Sequence, residues 1–262
     1  MSPVASPVAV HVERRVATIR MHEPTKRNAL GPAMLQALTA AFDGLEGKGV
    51  RAVLLRAAPG DAVWCAGFDI GALAPGGDPL ARDGALQGLF RRVAECPAPV
   101  IAMLHGSAWG GGTDLALRCD MIVGDPTASL AFTPARLGLP YDPEGLLNAL
   151  LRLGPALAME MFATAAPVGA ERLHRAGALS HLIPEAELEA AALDLAQRIA
   201  ANAPLSVASA KQQLRALAAT MPLPPAVAQA LHEGRRRALD SVDYAEGLAA
   251  FRERRPPEFH GI

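Results

Sequence analysis

The stretch His105–Asp120 reads HGSAWGGGTDLALRCD, and its interpretation decides the fold. It continues from APVIAMLHG (Ala98–Gly106), whose unbroken apolar run has the composition of a buried strand. Gly110, Gly111 and Gly112 follow, and TDLALR then opens a helix. Glycines carry no Cβ, so a backbone built from them can approach a ligand closely. A helix N-terminus adds free N–H groups and the positive end of the dipole, which favour negative charge. The same glycines also suit a tight turn with close helix packing, and the residues alone leave both readings open.

Upstream, VRAVLLRAA (Val50–Ala58) is a second buried strand, and it leads into WCAGFDI (Trp64–Ile70), a glycine-containing turn. A backbone N–H from that AGF turn, paired with one from the glycines, would form an oxyanion hole. Nearer the start, Val8, Val10 and Val12 alternate, and ERR separates them from VATIRM, which predicts a two-stranded hairpin. Met34, Leu38, Ala41, Phe42 and Leu45 recur at helical spacing, and a further helix is predicted near Leu86–Val93. Strands alternating with helices imply an α/β fold with a largely parallel sheet. After about Leu146 helical segments dominate. Leu188, Ala191, Leu195 and Ile199 share one face, and APL (Ala203–Leu205) breaks that run. A boundary near Ala200 therefore divides a core, 1–200, from a C-terminal helical region, 201–262.

Composition bounds the function. Hydrophobic residues are 51% and charged residues 19% of the 262, which excludes a disordered chain. Aromatics are only 4%, so Ala, Leu and Val must fill the core. A net charge of -1 gives no reason to expect nucleic acid or an anionic membrane as partner. Cys65, Cys96 and Cys119 are odd in number and form no CxxC pair, so they read as reduced thiols of a cytoplasmic protein, neither a zinc site nor a disulfide framework. His105, His174 and His181 form no ligand pattern, so no metal is expected. The N-terminus lacks the features of a signal peptide, and no stretch reads as the ~20 apolar residues that span a bilayer.

CAGFDI, followed about 40 residues later by GSAWGGGTDLALRCD, resembles the paired signature of the crotonase (enoyl-CoA hydratase/isomerase) superfamily. The likeness continues through RLGLP and YAEGLAAFRERRPPEF, and so covers nearly the whole chain. It implies a spiral of β-β-α units with a C-terminal helical trimerisation region, and hence a homotrimer or a dimer of trimers. It also implies enolate chemistry on an acyl-CoA thioester, which is the substrate, with no cofactor. The oxyanion-hole donors map to the backbone N–H groups of Phe68 and Gly111.

Hydratases of the superfamily use two glutamates to manage a water. The first maps to Asp114 and the second to Pro134, which has no acid–base group. Within the superfamily, GSAWGGG, FTPARLGLPYDPEG and SVDYAEGLAAFRERRPPEF resemble the methylmalonyl-CoA decarboxylase branch, whose active-site tyrosine maps to Tyr141. This chain carries Phe68 where that branch has His, and Asp114 where it has Glu. The resemblance thus implies decarboxylation of methylmalonyl-CoA or malonyl-CoA, with Tyr141 orienting the carboxylate and Asp114 helping to deliver a proton. The alternatives are an enoyl-CoA hydratase or isomerase using Asp114 with or without Asp142, and a thioester-binding protein that has lost its chemistry. Asp142 stands where isomerase and dehalogenase relatives carry a working carboxylate, though Asp before Pro143 is also a natural turn residue. Lys26, Arg27 and Ala66 match the region where relatives meet coenzyme A. Arg254 and Arg255 are further candidates for its phosphates.

Overall fold

A computed structural model describes residues 6–72, 78–81, 84–219 and 225–260. The chain opens with the expected hairpin, β1 (Val8–Glu13) antiparallel to β2 (Val16–Met21), followed by α1 (Pro32–Asp43). Three turns of one pattern come next. In the first, β3 (Ala52–Ala57) joins a large sheet, β4 (Val63–Cys65) a small one, and α2 (Ala85–Glu95) returns the chain. Then β5 (Val100–Leu104), β6 (Ser107–Trp109) and α3 (Gly111–Arg118) repeat it, as do β7 (Met121–Gly124), β8 (Ser129–Ala131) and α4 (Pro143–Thr164). With β9 (Val168–Gly169), α5 (Ala170–Arg175) and β10 (His181–Leu182), the sheets run β1-β2-β3-β5-β7-β10 and β4-β6-β8-β9. This is the spiral of β-β-α units, parallel from β2 to β10 in the large sheet.

The strand sequences explain the layering. Every residue of β3 and β5 is buried, as expected of parallel strands covered on both faces. Arg56, the one charge in β3, is reached by Glu189 Oε1 at 2.6 Å. The α1 residues Met34, Leu38, Ala41 and Phe42 all face the core, as their spacing predicts. The prediction for α6 (Leu188–Ala201) is off by a fraction of a turn. Its buried stripe is Leu188, Ala192, Ala196 and Ala200, while Leu195 and Ile199 flank it. Small alanines let the helix lie close on β3 and β5, and the larger side chains splay to either side.

Beyond α6 the described elements are the helices α7 (Pro204–Ala219), α8 (Pro225–Leu239) and α9 (Val242–Glu253). The boundary drawn near Ala200 falls at the end of α6. Polar contacts attach α7 to the core: Lys211 Nζ lies 2.7 Å and Arg215 Nη2 2.9 Å from the Asp120 carboxylate. By contrast α9 returns to the core through buried Tyr244, Gly247, Leu248 and Ala250, packing against the turn at Pro134–Leu137. One expectation needs correction: α4, at 22 residues, is long and apolar enough by composition to cross a membrane. It is broken, however, at Gly154 (φ 74°), followed by Pro155, and its buried residues pack against α3.

Candidate active site

Two segments meet at the end of the small sheet. The turn after β4 is held by Leu30, whose N–H donates to Gly67 O at 2.7 Å, and by the Ala66 N–H to Arg27 O at 3.0 Å. The loop between β6 and α3 is held by the Gly110 N–H to Ala131 O (2.8 Å) and by the Thr113 hydroxyl, which lies 2.9 Å from two acceptors, Ala108 O and Ala131 O, for its one proton. Gly67 has φ 86°, in the region that favours glycine, and a Cβ there would collide with the Trp109 carbonyl oxygen. The same imagined Cβ would lie 3.3 Å from the Gly111 nitrogen, and one on Gly111 would lie 3.4 Å from the Phe68 nitrogen. The Phe68 and Gly111 nitrogens therefore lie close together, and among the described residues neither N–H donates to a protein acceptor.

These amides open on a cavity of about 700 Å³. Phe68, Ile70, Leu80, Leu86, Leu139 and Phe251 give it apolar walls, and Lys26, Arg27 and Ala66 also line it. The glycine run divides its labour. Gly110 and Gly111 border the cavity, whereas Gly112 packs on Cys65, whose Cβ would lie 2.8 Å from an added methyl. The close-packing reading describes Gly112, while Gly110 and Gly111 stand at the cavity wall.

Tyr141 reaches the cavity from the loop before α4. Its ring meets Phe132 edge-on (centroids 5.3 Å apart) and tilts against Phe162 (5.1 Å). Its hydroxyl donates to Asp114 Oδ2 at 3.2 Å. Burial above all, then the charges of Asp114 and Asp142, hold its ionisation well above the ordinary tyrosine value, with Arg118 opposing. The group is a neutral phenol over the whole working range of pH.

Asp114 is set back from the cavity that it was expected to meet. Wholly buried, it does not belong to the lining, and it receives Tyr141 on one oxygen and Asn148 Nδ2 and Arg118 Nε on the other, each at 3.1 Å. A buried carboxylate without such donors would cost several kcal/mol. Asp142 is also absent from the lining. It caps α4, accepting the Gly145 N–H at 2.9 Å, so the turn reading describes its geometry. Burial raises its pKa, with the Gly145 contact opposing and the Asp114 charge adding to the rise. At the second hydratase position, Pro134 borders the cavity.

Arg254 and Arg255 do not line the cavity. Arg255 is engaged with Glu246 and Glu253, each at 2.6 Å, which raise its pKa further. Sequence reasoning missed Arg118, Asn148 and Asp69. Arg118 was findable, since it follows Asp114 by four residues on one helix. Asn148 comes from another helix, and nothing local marks it. Asp69 lines the cavity, accepts the Gly71 N–H at 3.1 Å and faces Lys26 at 4.0 Å. Among the described residues no three His, Cys, Asp or Glu side chains gather to hold a metal.

Residues 11–261 match the enoyl-CoA hydratase/isomerase family. The chain is 36% identical over 248 residues to the methylmalonyl-CoA decarboxylase of Escherichia coli K12, covering 94% of this chain and 95% of that one. It is 37% identical over 216 residues to the carnitinyl-CoA dehydratase of Proteus mirabilis, covering 77% and 78%. A crystal structure of methylmalonyl-CoA decarboxylase complexed with 2S-carboxypropyl-CoA superposes with a TM-score of 0.95 at 35% identity, over 99% of this chain and 100% of that one. With the spiral fold and the paired backbone donors already in place, this chain belongs to the enoyl-CoA hydratase/isomerase, or crotonase, family of enzymes.

Proposed function

We propose that the protein decarboxylates a malonyl-type thioester, methylmalonyl-CoA or malonyl-CoA. The observation that carries this reading is what the cavity offers beside its two backbone donors: a neutral phenol, apolar walls, and Pro134 at the second hydratase position. The thioester oxygen accepts from the Phe68 and Gly111 N–H groups. The bond from the α-carbon to the carboxylate breaks, its electron pair passes into the enolate, and carbon dioxide leaves. The hole stabilises the charge that develops on oxygen. A proton from solvent then closes the α-carbon. Tyr141, whose single hydroxyl proton turns from Asp114 to the departing carboxylate when the thioester binds, orients that carboxylate by hydrogen bond, and its raised pKa makes it a dipole and not the acid. Asp114 acts through Tyr141.

Lys26, Arg27 and Ala66 form the coenzyme A side of the cavity. Arg254 and Arg255, away from this cavity, would have to serve coenzyme A elsewhere in an assembly. Leu205 and Leu214, 85% and 69% exposed on α7, support self-association into a trimer or a dimer of trimers. The expected setting is the cytoplasm.

The test is parallel incubation with methylmalonyl-CoA, malonyl-CoA and crotonyl-CoA, with product masses recorded. Loss of carbon dioxide from a malonyl thioester is the expected result. Hydration of crotonyl-CoA without decarboxylation overturns the proposal in favour of a hydratase, and turnover of none leaves a thioester-binding protein.

A further inference from the structure

We infer that Asn148 is a positioning residue for Tyr141, acting through Asp114. The Tyr141 ring is fixed by Phe132 and Phe162, so the direction of its hydroxyl proton depends on what accepts it. That acceptor is Asp114 Oδ2, and its orientation is set at the opposite oxygen. Oδ1 is shared by Arg118 Nε and the Asn148 amide, each at 3.1 Å. The Arg118 contact is through Nε alone. Its Nη2 is buried and has no hydrogen-bond partner among the described residues.

A carboxylate beside a guanidinium with an idle N–H tends toward the two-pronged pair, which is stronger than a single contact. Asp114 does not adopt it. The Asn148 amide reaches in from α4 and holds Oδ1, and with it the plane of the carboxylate, so that Oδ2 stays on Tyr141. Arg118 is also held over the Phe90 ring, whose centroid lies 5.2 Å from its guanidinium carbon, a contact that favours its present position. Without the amide, the carboxylate pivots onto both Arg118 nitrogens and leaves Tyr141. The phenol then loses the acceptor that holds its proton in the resting site, and nothing there orients the hydroxyl before the substrate takes that proton. Asn148 thereby sets how the Tyr141 hydroxyl is held.

The kinetic arm rests on the decarboxylase reading; the structural arm does not. Asn148→Leu keeps the side-chain volume and removes the amide, and Asn148→Ala serves if that variant folds poorly. A crystal structure of either is expected to show Asp114 paired with Arg118 through Nε and Nη2, with Tyr141 released. A Tyr141–Asp114 contact unchanged from the parent overturns the inference, whichever thioester the enzyme uses. In turnover, Asn148→Leu is expected to lower kcat on the order of 10-fold, as for one hydrogen bond to a charge, with KM little changed. In a Tyr141→Phe background the same change should cost less than about 2-fold, because the group it positions is gone. Equal losses in the two backgrounds mean that Asn148 serves the fold at large and overturn the inference. A parent that hydrates crotonyl-CoA and decarboxylates nothing overturns the proposed function, and the crystal structure still decides the role of Asn148.

Discussion

The two sides of the cavity are built by different means. On one side the Phe68 and Gly111 amides are main-chain groups, held by main-chain hydrogen bonds and by a glycine whose Cβ would strike a carbonyl. The identity of the Phe68 side chain is irrelevant to that donor. On the other side Tyr141 depends on Asp114, which depends on Arg118 and Asn148, and every link is a side chain. A backbone site tolerates substitution at most positions and fails where the backbone itself must change. A side-chain relay can be altered at any member, and its members are coupled. Under the proposed function, the first would serve the oxyanion of a thioester and the second the choice of what is done to the enolate.

The largest effect should come from breaking the backbone side at its donor. Gly111→Pro deletes the N–H at the first residue of α3, the helical position where proline is best tolerated. Turnover of every thioester is expected to fall by about 10²-fold or more. A folded variant with near-parental kcat would remove Gly111 from the hole; circular dichroism and size measurement establish the folding.

Tyr141→Phe breaks the other side. It keeps the ring packing and deletes one hydrogen bond, so decarboxylation should fall on the order of 10–150-fold. Affinity for a plain acyl-CoA, which has no carboxylate to orient, should hardly move. Steady-state rates and acyl-CoA titration on the same preparation distinguish the two, and parental decarboxylation would reduce Tyr141 to a packing residue. Phe68→Leu sharpens the contrast, because it changes a cavity side chain and keeps its backbone donor. Its effect on kcat should stay below about 10-fold, short of losing a hole donor. A loss as large as that of Gly111→Pro would show that the Phe68 side chain holds the turn.

The smallest effect concerns stability. Burial raises the Asp142 pKa in the folded state, so over the range between its unfolded and folded values the native chain binds more protons. The resulting destabilisation is absent in acid and fully present at neutral pH. Asp142→Asn retains an acceptor for the Gly145 N–H and removes the charge beside Asp114. It should raise neutral-pH stability by about 1 kcal/mol or less, a gain that vanishes as the parent's carboxyl is protonated. Urea unfolding across a pH series checks this, and a gain persisting in acid would assign it to capping.

The spiral is what the family resemblance implies; by itself the amino-acid order determined the alternation of strands and helices and the two glycine-containing turns that meet at the cavity. Those features rest on local rules: runs of apolar residues such as Val100–Leu104, and glycines at turns where φ is positive or chains approach. Two misreadings mark the limit of those rules. The buried stripe of α6 lies beside the predicted one because close contact with the sheet favours Ala192 and Ala196 over Leu195. Asp114 retreats from the cavity because Asn148 and Tyr141, 34 and 27 residues further on, meet it from other elements. Only the tertiary structure decided that the carboxylate is a brace and the phenol faces the cavity. The reason is physical: a buried charge goes where donors gather, and donors from separate elements are brought together only when the chain has folded.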